Sequence, residues 1–270
     1  MSHAMKRWIP FAPKPPAVAV VRLQGSIASG HRPGALNDES LAPILERAFR
    51  RGRPKAVALV VNSPGGSAAQ SSLIAARVRR LSEERKVAVH AFVEDVAASG
   101  GYWLACAADD IWVDPNSIVG SIGVIFSGFG FPELLSRWGV ERRVHAAGRS
   151  KSMLDPFRPE KPEDIEKLKA WQEQIHESFI DHVKSRRGDR LEGGDELFTG
   201  DVWVGKKAVE IGLVDGVAHA VPKLKELYGE KTRFMSYGPR RSLFQRLGSR
   251  FAEDALAIAE ERCHFSRYGL

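Results

Sequence analysis

Two glycine-rich turns, Asn62-Ser-Pro-Gly-Gly-Ser67 and Ala97-Ala-Ser99-Gly-Gly-Tyr102, each follow an apolar β-branched run and precede a helical pattern. In an α/β domain such turns lie at the C-terminal ends of strands, where helix N-termini present unpaired N–H groups. Glycine lets a substrate backbone come close and leaves those N–H groups free to face an oxyanion. Ser99, flanked by residues without bulk, stands where a reachable nucleophile would stand. Its competing reading is a plain N-cap, and Gly65-Gly66 taken alone reads as an ordinary turn. A serine hydroxyl needs a base, and a lysine serves when an apolar site favours its neutral amine. Lys151 sits in Gly148-Arg-Ser-Lys151-Ser-Met-Leu-Asp-Pro-Phe157, with apolar residues after the amine. A solvated surface lysine is the alternative.

Other chemistries lack their residues. The stretch from Gly200 to Lys207 approaches a phosphate-binding loop, but Lys207 replaces the hydroxyl that would hold magnesium, and Trp203 and Val204 fill the cradle. His176 and His182 are six apart, so they do not share a helix face as zinc ligands. No serine has glycines on both sides at the spacing of a nucleophile elbow, and no SxxK occurs. None of the eight histidines has local support as a general base. Cys106 and Cys263 are far apart and outside any CxxC, which leaves no thiol metal site or disulfide framework and fits a reducing compartment.

The elements that must hold the two turns follow from the hydrophobic periodicity. The 270 residues are 43% hydrophobic and 27% charged, a folded composition that excludes disordered and collagen-like classes. The net charge of +7 favours acidic surfaces as partners; it does not establish nucleic-acid binding, and none is expected. Short β-branched runs alternate with longer helical patterns, the signature of βαβ units on a largely parallel sheet. Strands are expected at residues 17–23, 56–61, 87–93, 111–113, 121–125 and 141–146. Helices are expected at 37–49, after Ser67 through Leu81, from Ala97 through Cys106, at 131–138, from Pro162 to about Lys184, and at 206–211.

Uncharged windows at 56–76 and 115–132 are broken by Asn62, Pro64 and several glycines, so neither reads as a membrane span. Pro10, Pro13, Pro15 and Pro16 interrupt the apolar start, so no secretory signal is expected. The expectation is a cytoplasmic chain, in contact with a membrane surface at most. From Tyr237 onward Arg240, Arg241, Arg246 and Arg250 interleave with Leu243, Phe244, Leu247 and Phe251. This basic amphipathic tail suits docking on a subunit or peripheral membrane contact.

Taken in order, Asn62-Ser-Pro-Gly-Gly-Ser67, Ala98-Ser99-Gly-Gly-Tyr102, Gly120-Ser-Ile-Gly-Val124, Gly148-Arg-Ser-Lys151-Ser with Asp155-Pro-Phe157, and Gly212-Leu-Val-Asp215 resemble the signal peptide peptidase A (SppA) family of serine peptidases, family S49. The resemblance runs over roughly residues 17–229. It implies an α/β, Clp/crotonase-type fold of repeated ββα units with a C-terminal amphipathic helical tail. The chain then divides into an N-terminal extension (1–16), a peptidase domain (17–229) and the tail (230–270). The resemblance implies a dyad of Ser99 and Lys151, an oxyanion hole from the N–H groups of Gly65, Gly66 and Gly100, and Ser121 as the hydroxyl that orients the amine.

The activity implied is that of a serine endopeptidase acting on unfolded or membrane-derived peptides such as signal-peptide remnants, in a homo-oligomer, with no metal and no other cofactor. Ile122 and Val124, in an apolar stretch beside the site, are expected to line the substrate path. Ser150 stands where the family often has an aromatic residue. The membrane anchor usual in members that cleave leftover signal peptides is not seen, which leaves the substrate open. Two other readings stay open. One is a crotonase-type acyl-CoA enzyme with Glu94 or Asp95 as acid/base, and the other is a scaffold that binds peptides without cutting them.

Overall fold

Buried β-branched runs build the centre of the protein. A computed structural model describes residues 15–30, 34–148, 150–238 and 265–270. Strand β2 (Ala56–Ser63) is buried at every position, as a strand covered on both faces must be. It pairs in parallel with β1 (Ala17–Gln24) and β3 (Ala88–Ala98). Among the described residues the sheet has eight strands. Its main path is β6 (Val202–Val204), β5 (Ile118–Gly120), β3, β2, β1 and β8 (Arg233–Tyr237), with β4 (Asp110–Val113) branching from β3 and β7 (Gly216–Val217) pairing with β4. Only the pair of β5 (Ile118–Gly120) with β6 (Val202–Val204) is antiparallel.

The helices α1 (Asp38–Arg50), α2 (Ala68–Arg85) and α3 (Gly100–Ala105) cover one face of this sheet. Their apolar sides bury Leu41, Leu45, Ile74, Val78 and Leu104 against Val57, Leu59 and Val89. Asn37 caps α1 by accepting from the Ser40 N–H, and Ser67 caps α2 by accepting from Gln70. A smaller cluster on the other face joins Val18, Ala58 and Phe92 to Leu224 of α7 (Ala220–Tyr228). The result is a mixed α/β sheet fold. No described helix is long and apolar enough to cross a membrane.

Strand β3 positions the site because it forks. Residues 90–93 pair with β4 and residues 96–98 with β5. Between them Glu94 and Asp95 bulge out, since Val61 pairs with Val93 while Ser63 pairs with Ala97. The strand therefore runs on to Ala98, and the helix expected from Ala97 begins at Gly100. Two expected strands are absent. The chain leaves the sheet at Gly120 (φ 104°) and Ser121 (φ 50°), so residues 121–125 have no ladder. Residues 141–146 are almost all exposed and find no partner strand among the described residues. Conversely Arg233–Tyr237, placed in the tail by sequence, forms β8 and pairs with β1, so the sheet reaches past residue 229. The amphipathic residues Leu243 to Phe251 lie outside the described residues, as does most of the N-terminal extension.

Helix α5 (Pro162–Arg187) is tied to the sheet by a buried ion pair. Arg187 Nη1 donates to Asp215 Oδ2 at 2.7 Å, and Asp215 also accepts from the Ile111 N–H and from Arg190. Burial alone would raise the Asp215 carboxyl, but the hydrogen bond and charge of Arg187, the Ile111 N–H and Arg190 hold it below its usual value. A depressed folded-state pKa contributes stability above the unfolded value and loses it as pH falls through the folded one. Asp215→Ala, which strands the buried Arg187, is expected to cost about 3–5 kcal/mol at pH 7. In urea unfolding that difference should shrink progressively on acidification.

Candidate active site

Three strand ends converge on Ser99. The turn after β2 brings Gly65 and Gly66, the end of β3 brings Ser99 and Gly100, and the end of β5 brings Ser121. The Ser99 N–H donates to the Gly120 carbonyl at 2.8 Å, which fastens the Ser121 segment to it. Ser99 takes the N-cap position of α3, yet its side chain makes no capping bond. Its backbone is at φ 52°, ψ −122°, a conformation that costs a non-glycine residue roughly 1–3 kcal/mol. The plain N-cap reading therefore fails: the hydroxyl is half-buried, unspent and held on a strained turn.

The glycines around it are there because no side chain fits. A Cβ on Gly65 would lie 2.9 Å from Ser99 Cβ and 2.8 Å from Gly100 N. One on Gly66 would lie 2.0 Å from the Ile27 carbonyl oxygen, at φ 141°. The Gly65 N–H donates to Ser63 Oγ at 3.3 Å, and its carbonyl accepts from Ile27. The N–H groups of Gly66 and Gly100 donate to no described residue. Two free N–H groups beside an uncapped serine can receive negative charge developing on a carbonyl oxygen that the serine attacks.

No hydrogen bond joins Lys151 to this cluster among the described residues. It is exposed, in a run of turns, and its amine bonds to no described residue. Its loop is braced from several sides. Arg142 Nε donates to Asp155 at 2.9 Å and lies over the Phe157 ring, while Phe131 N–H donates to the Pro156 carbonyl. Helix α5 holds it too, since Lys167 Nζ donates to Ser150 Oγ at 2.8 Å and Asp164 accepts from Leu154 N–H at 3.4 Å. Further along α5, His182 donates to the Trp103 carbonyl on the Ser99 helix at 3.1 Å.

The expected substrate wall also divides. Ile122 is fully buried in the core, and Val124 is half-buried. Ile125, Phe126 and Phe129 after them are exposed, as are Leu134 of α4 (Pro132–Arg137) and Trp138. Glu94 and Asp95 are engaged elsewhere: Glu94 pairs with Arg22 at 2.8 Å, and Asp95 accepts from Asn62 at 2.6 Å. Both line a cavity of about 460 Å³ with Phe92 and His219, and Ser99 is not among its lining residues. Sequence reasoning missed Asp201, whose carbonyl holds the Ser121 N–H, and Ile27, whose carbonyl fixes the Ser67 N–H; both act through backbone atoms and leave no side-chain signal. Cys106, fully buried behind α3 with its thiol pushed up to about 12 by desolvation, is inert.

Comparison with known proteins places this arrangement. The chain is 46% identical over 98% of its length to a Brucella melitensis protein named Na(+)/H(+) antiporter NhaA, of which it spans only 39%. It is 31% identical over 66% of its length to a putative signal peptide peptidase SppA of Enterococcus faecium, of which it spans 51%. The chain thus spans between two fifths and about half of these relatives. Among solved structures, a mutant of the 1510-N membrane-bound stomatin-specific protease with a substrate peptide superposes with a TM-score of 0.53 at 15% identity, covering 91% of this chain and 98% of the other. That likeness concerns the fold. Residues 81–229, which run from the end of α2 through Ser99, Ser121 and Lys151 to Gly229, match Peptidase family S49, and the chain belongs to that family of SppA-type serine peptidases.

Proposed function

We propose that the chain is a Ser/Lys peptidase with Ser99 as nucleophile and Lys151 as general base. The observation that carries this reading is the uncapped Ser99 hydroxyl beside the free N–H groups of Gly66 and Gly100. Ser99 Oγ attacks the scissile carbonyl carbon and its proton passes to the neutral Lys151 amine. The carbonyl oxygen, now an oxyanion, is received by the two N–H groups. Collapse breaks the C–N bond, and Lys151 returns the proton to the leaving amine. Water then attacks the acyl-enzyme with Lys151 again as base, releasing the acid and restoring Ser99. Ser121 orients the amine. The repeated ββα, Clp/crotonase-type description of the fold belongs to the same reading.

The base is delivered in an assembled form. Within one chain Lys151 is exposed, whereas a neutral lysine needs an apolar site. The segment that carries Lys151 exposes Phe126, Phe129, Leu134 and Trp138, an apolar surface that no other described residue covers. Packed on a neighbouring copy, this arm both covers its apolar residues and brings Lys151 to the neighbour's Ser99. The basic tail adds a second contact, to a subunit or a membrane surface.

The substrates are unfolded or membrane-derived peptides, signal-peptide remnants among them, bound as an added strand and cut after small or apolar residues. The half-buried Val124 and the exposed Ile125 supply the apolar wall. A mixed peptide library, with cut sites read by mass spectrometry, should show small and apolar residues before the bond. A profile dominated by charged residues at that position would refute the preference.

A further inference from the structure

Helix α5 reaches the proposed site from outside at several points, and two of them are histidines. His182 donates through Nε2 to the Trp103 carbonyl, stacks on the Trp103 ring at 5.2 Å, and has its pKa drawn down to about 4 by burial, so it stays neutral. Arg186 continues the same row, donating to the carbonyls of Cys106 and Ala108. These groups satisfy carbonyls at the end of the short helix α3 that would otherwise be orphaned. His176, six residues earlier, sits elsewhere: its Nε2 lies 3.0 Å from the Ile122 carbonyl. A carbonyl only accepts, so Nε2 carries the proton.

Ile122 follows Ser121, and the geometry of that pair is unusual. Ser121 is a non-glycine residue at φ 50°. Its N–H is held by the Asp201 carbonyl, and its own carbonyl accepts from the Gly123 N–H. The Ile122 side chain is buried in the core, and among described residues only His176 donates to its carbonyl. The tight turn is thus pinned before Ser121 by a backbone bond and after it by a side chain. One residue upstream, the Gly120 carbonyl takes the Ser99 N–H, so a shift of this turn is felt at Ser99.

We propose that His176 is a positioning residue: by holding the Ile122 carbonyl it fixes Ser121 in the orientation that serves the lysine amine. This rests on the Ser/Lys reading, and it adds a requirement that the reading alone does not contain, namely a hydrogen-bond donor on a helix outside the strand ends. Glutamine, whose amide nitrogen reaches about where Nε2 lies, should replace it. Leucine should not.

The test compares His176→Leu and His176→Gln in the full chain. Active sites are counted by stoichiometric labelling with a serine-reactive phosphonate, and kcat, KM and the thermal unfolding midpoint are measured on the same samples. For His176→Leu, turnover per labelled site should fall roughly tenfold, the share of one neutral hydrogen bond, with KM within about twofold. For His176→Gln it should return to within about threefold of the wild type. Counting sites separates this from partial unfolding, which lowers the number of sites and not the turnover of each. Wild-type turnover per site in His176→Leu would overturn the proposal, and so would a His176→Gln protein as slow as His176→Leu. A wild-type protein that the phosphonate does not label at Ser99 would instead sink the Ser/Lys reading, and this inference with it.

Discussion

Ser99→Ala is expected to abolish peptide hydrolysis, by at least about 10⁴-fold in kcat, while leaving the folded protein and its peptide affinity in place. The size follows from the role: without Oγ no acyl-enzyme forms, and the two N–H groups have no intermediate to stabilise. The sparing of the fold follows from the geometry, because the Ser99 side chain makes no capping bond that alanine would lose. Alanine also inherits the same strain at φ 52°. Ser99→Gly should therefore do something an ordinary serine-to-glycine change at a helix start does not. Relieving the positive φ is expected to stabilise the protein by about 1 kcal/mol while activity is lost just as completely. Urea unfolding of the wild type and both variants, set beside hydrolysis of one peptide, checks the pair. A Ser99→Ala protein that still turns over would remove the nucleophile assignment, and a destabilised Ser99→Gly protein would remove the claim of stored strain.

How far the site was legible depended on whether its parts were local. The turns at 62–67 and 97–102 could be read because glycine spacing, a preceding apolar run and a following helical period are all sequence-adjacent signals, and the structure puts both turns at strand ends. Helix α5 announced itself by Pro162 in its first turn and by its apolar period. The short strands β6 and β7 could not be read, since three and two residues carry no usable periodicity. The opposite error arose at 121–125, where an apolar run suggested a strand. Ser121 takes a positive φ there and its N–H is held by the Asp201 carbonyl eighty residues away, a contact no local pattern encodes. His176 was visible only as a failed metal ligand, because its partner is a backbone carbonyl on another segment. Burial of Lys151 was expected from the apolar residues after it, but those residues do not shield the amine within one chain.

Lys151→Ala should lower kcat by about 10²–10⁴-fold with little change in KM, the effect of losing a general acid/base that acts in the chemical steps and not in ground-state binding. Lys151→Arg should be no better, because a guanidinium stays protonated throughout the accessible range. A base must be neutral to accept a proton, and a lysine becomes so where an apolar site buries it, so activity is expected to rise with pH. If the burial comes from a neighbouring copy, activity per chain must fall on dilution in step with the particle mass seen by light scattering. A sharper consequence is complementation. Ser99→Ala and Lys151→Ala proteins, each inactive, should recover about a quarter of wild-type activity when unfolded, mixed in equal amounts and refolded together, because a quarter of the random neighbour pairs join an intact serine to an intact lysine. No recovery in a mixture that demonstrably co-assembles would mean that the arm closes on its own chain. Near-normal turnover of Lys151→Ala alone would mean that the base lies elsewhere.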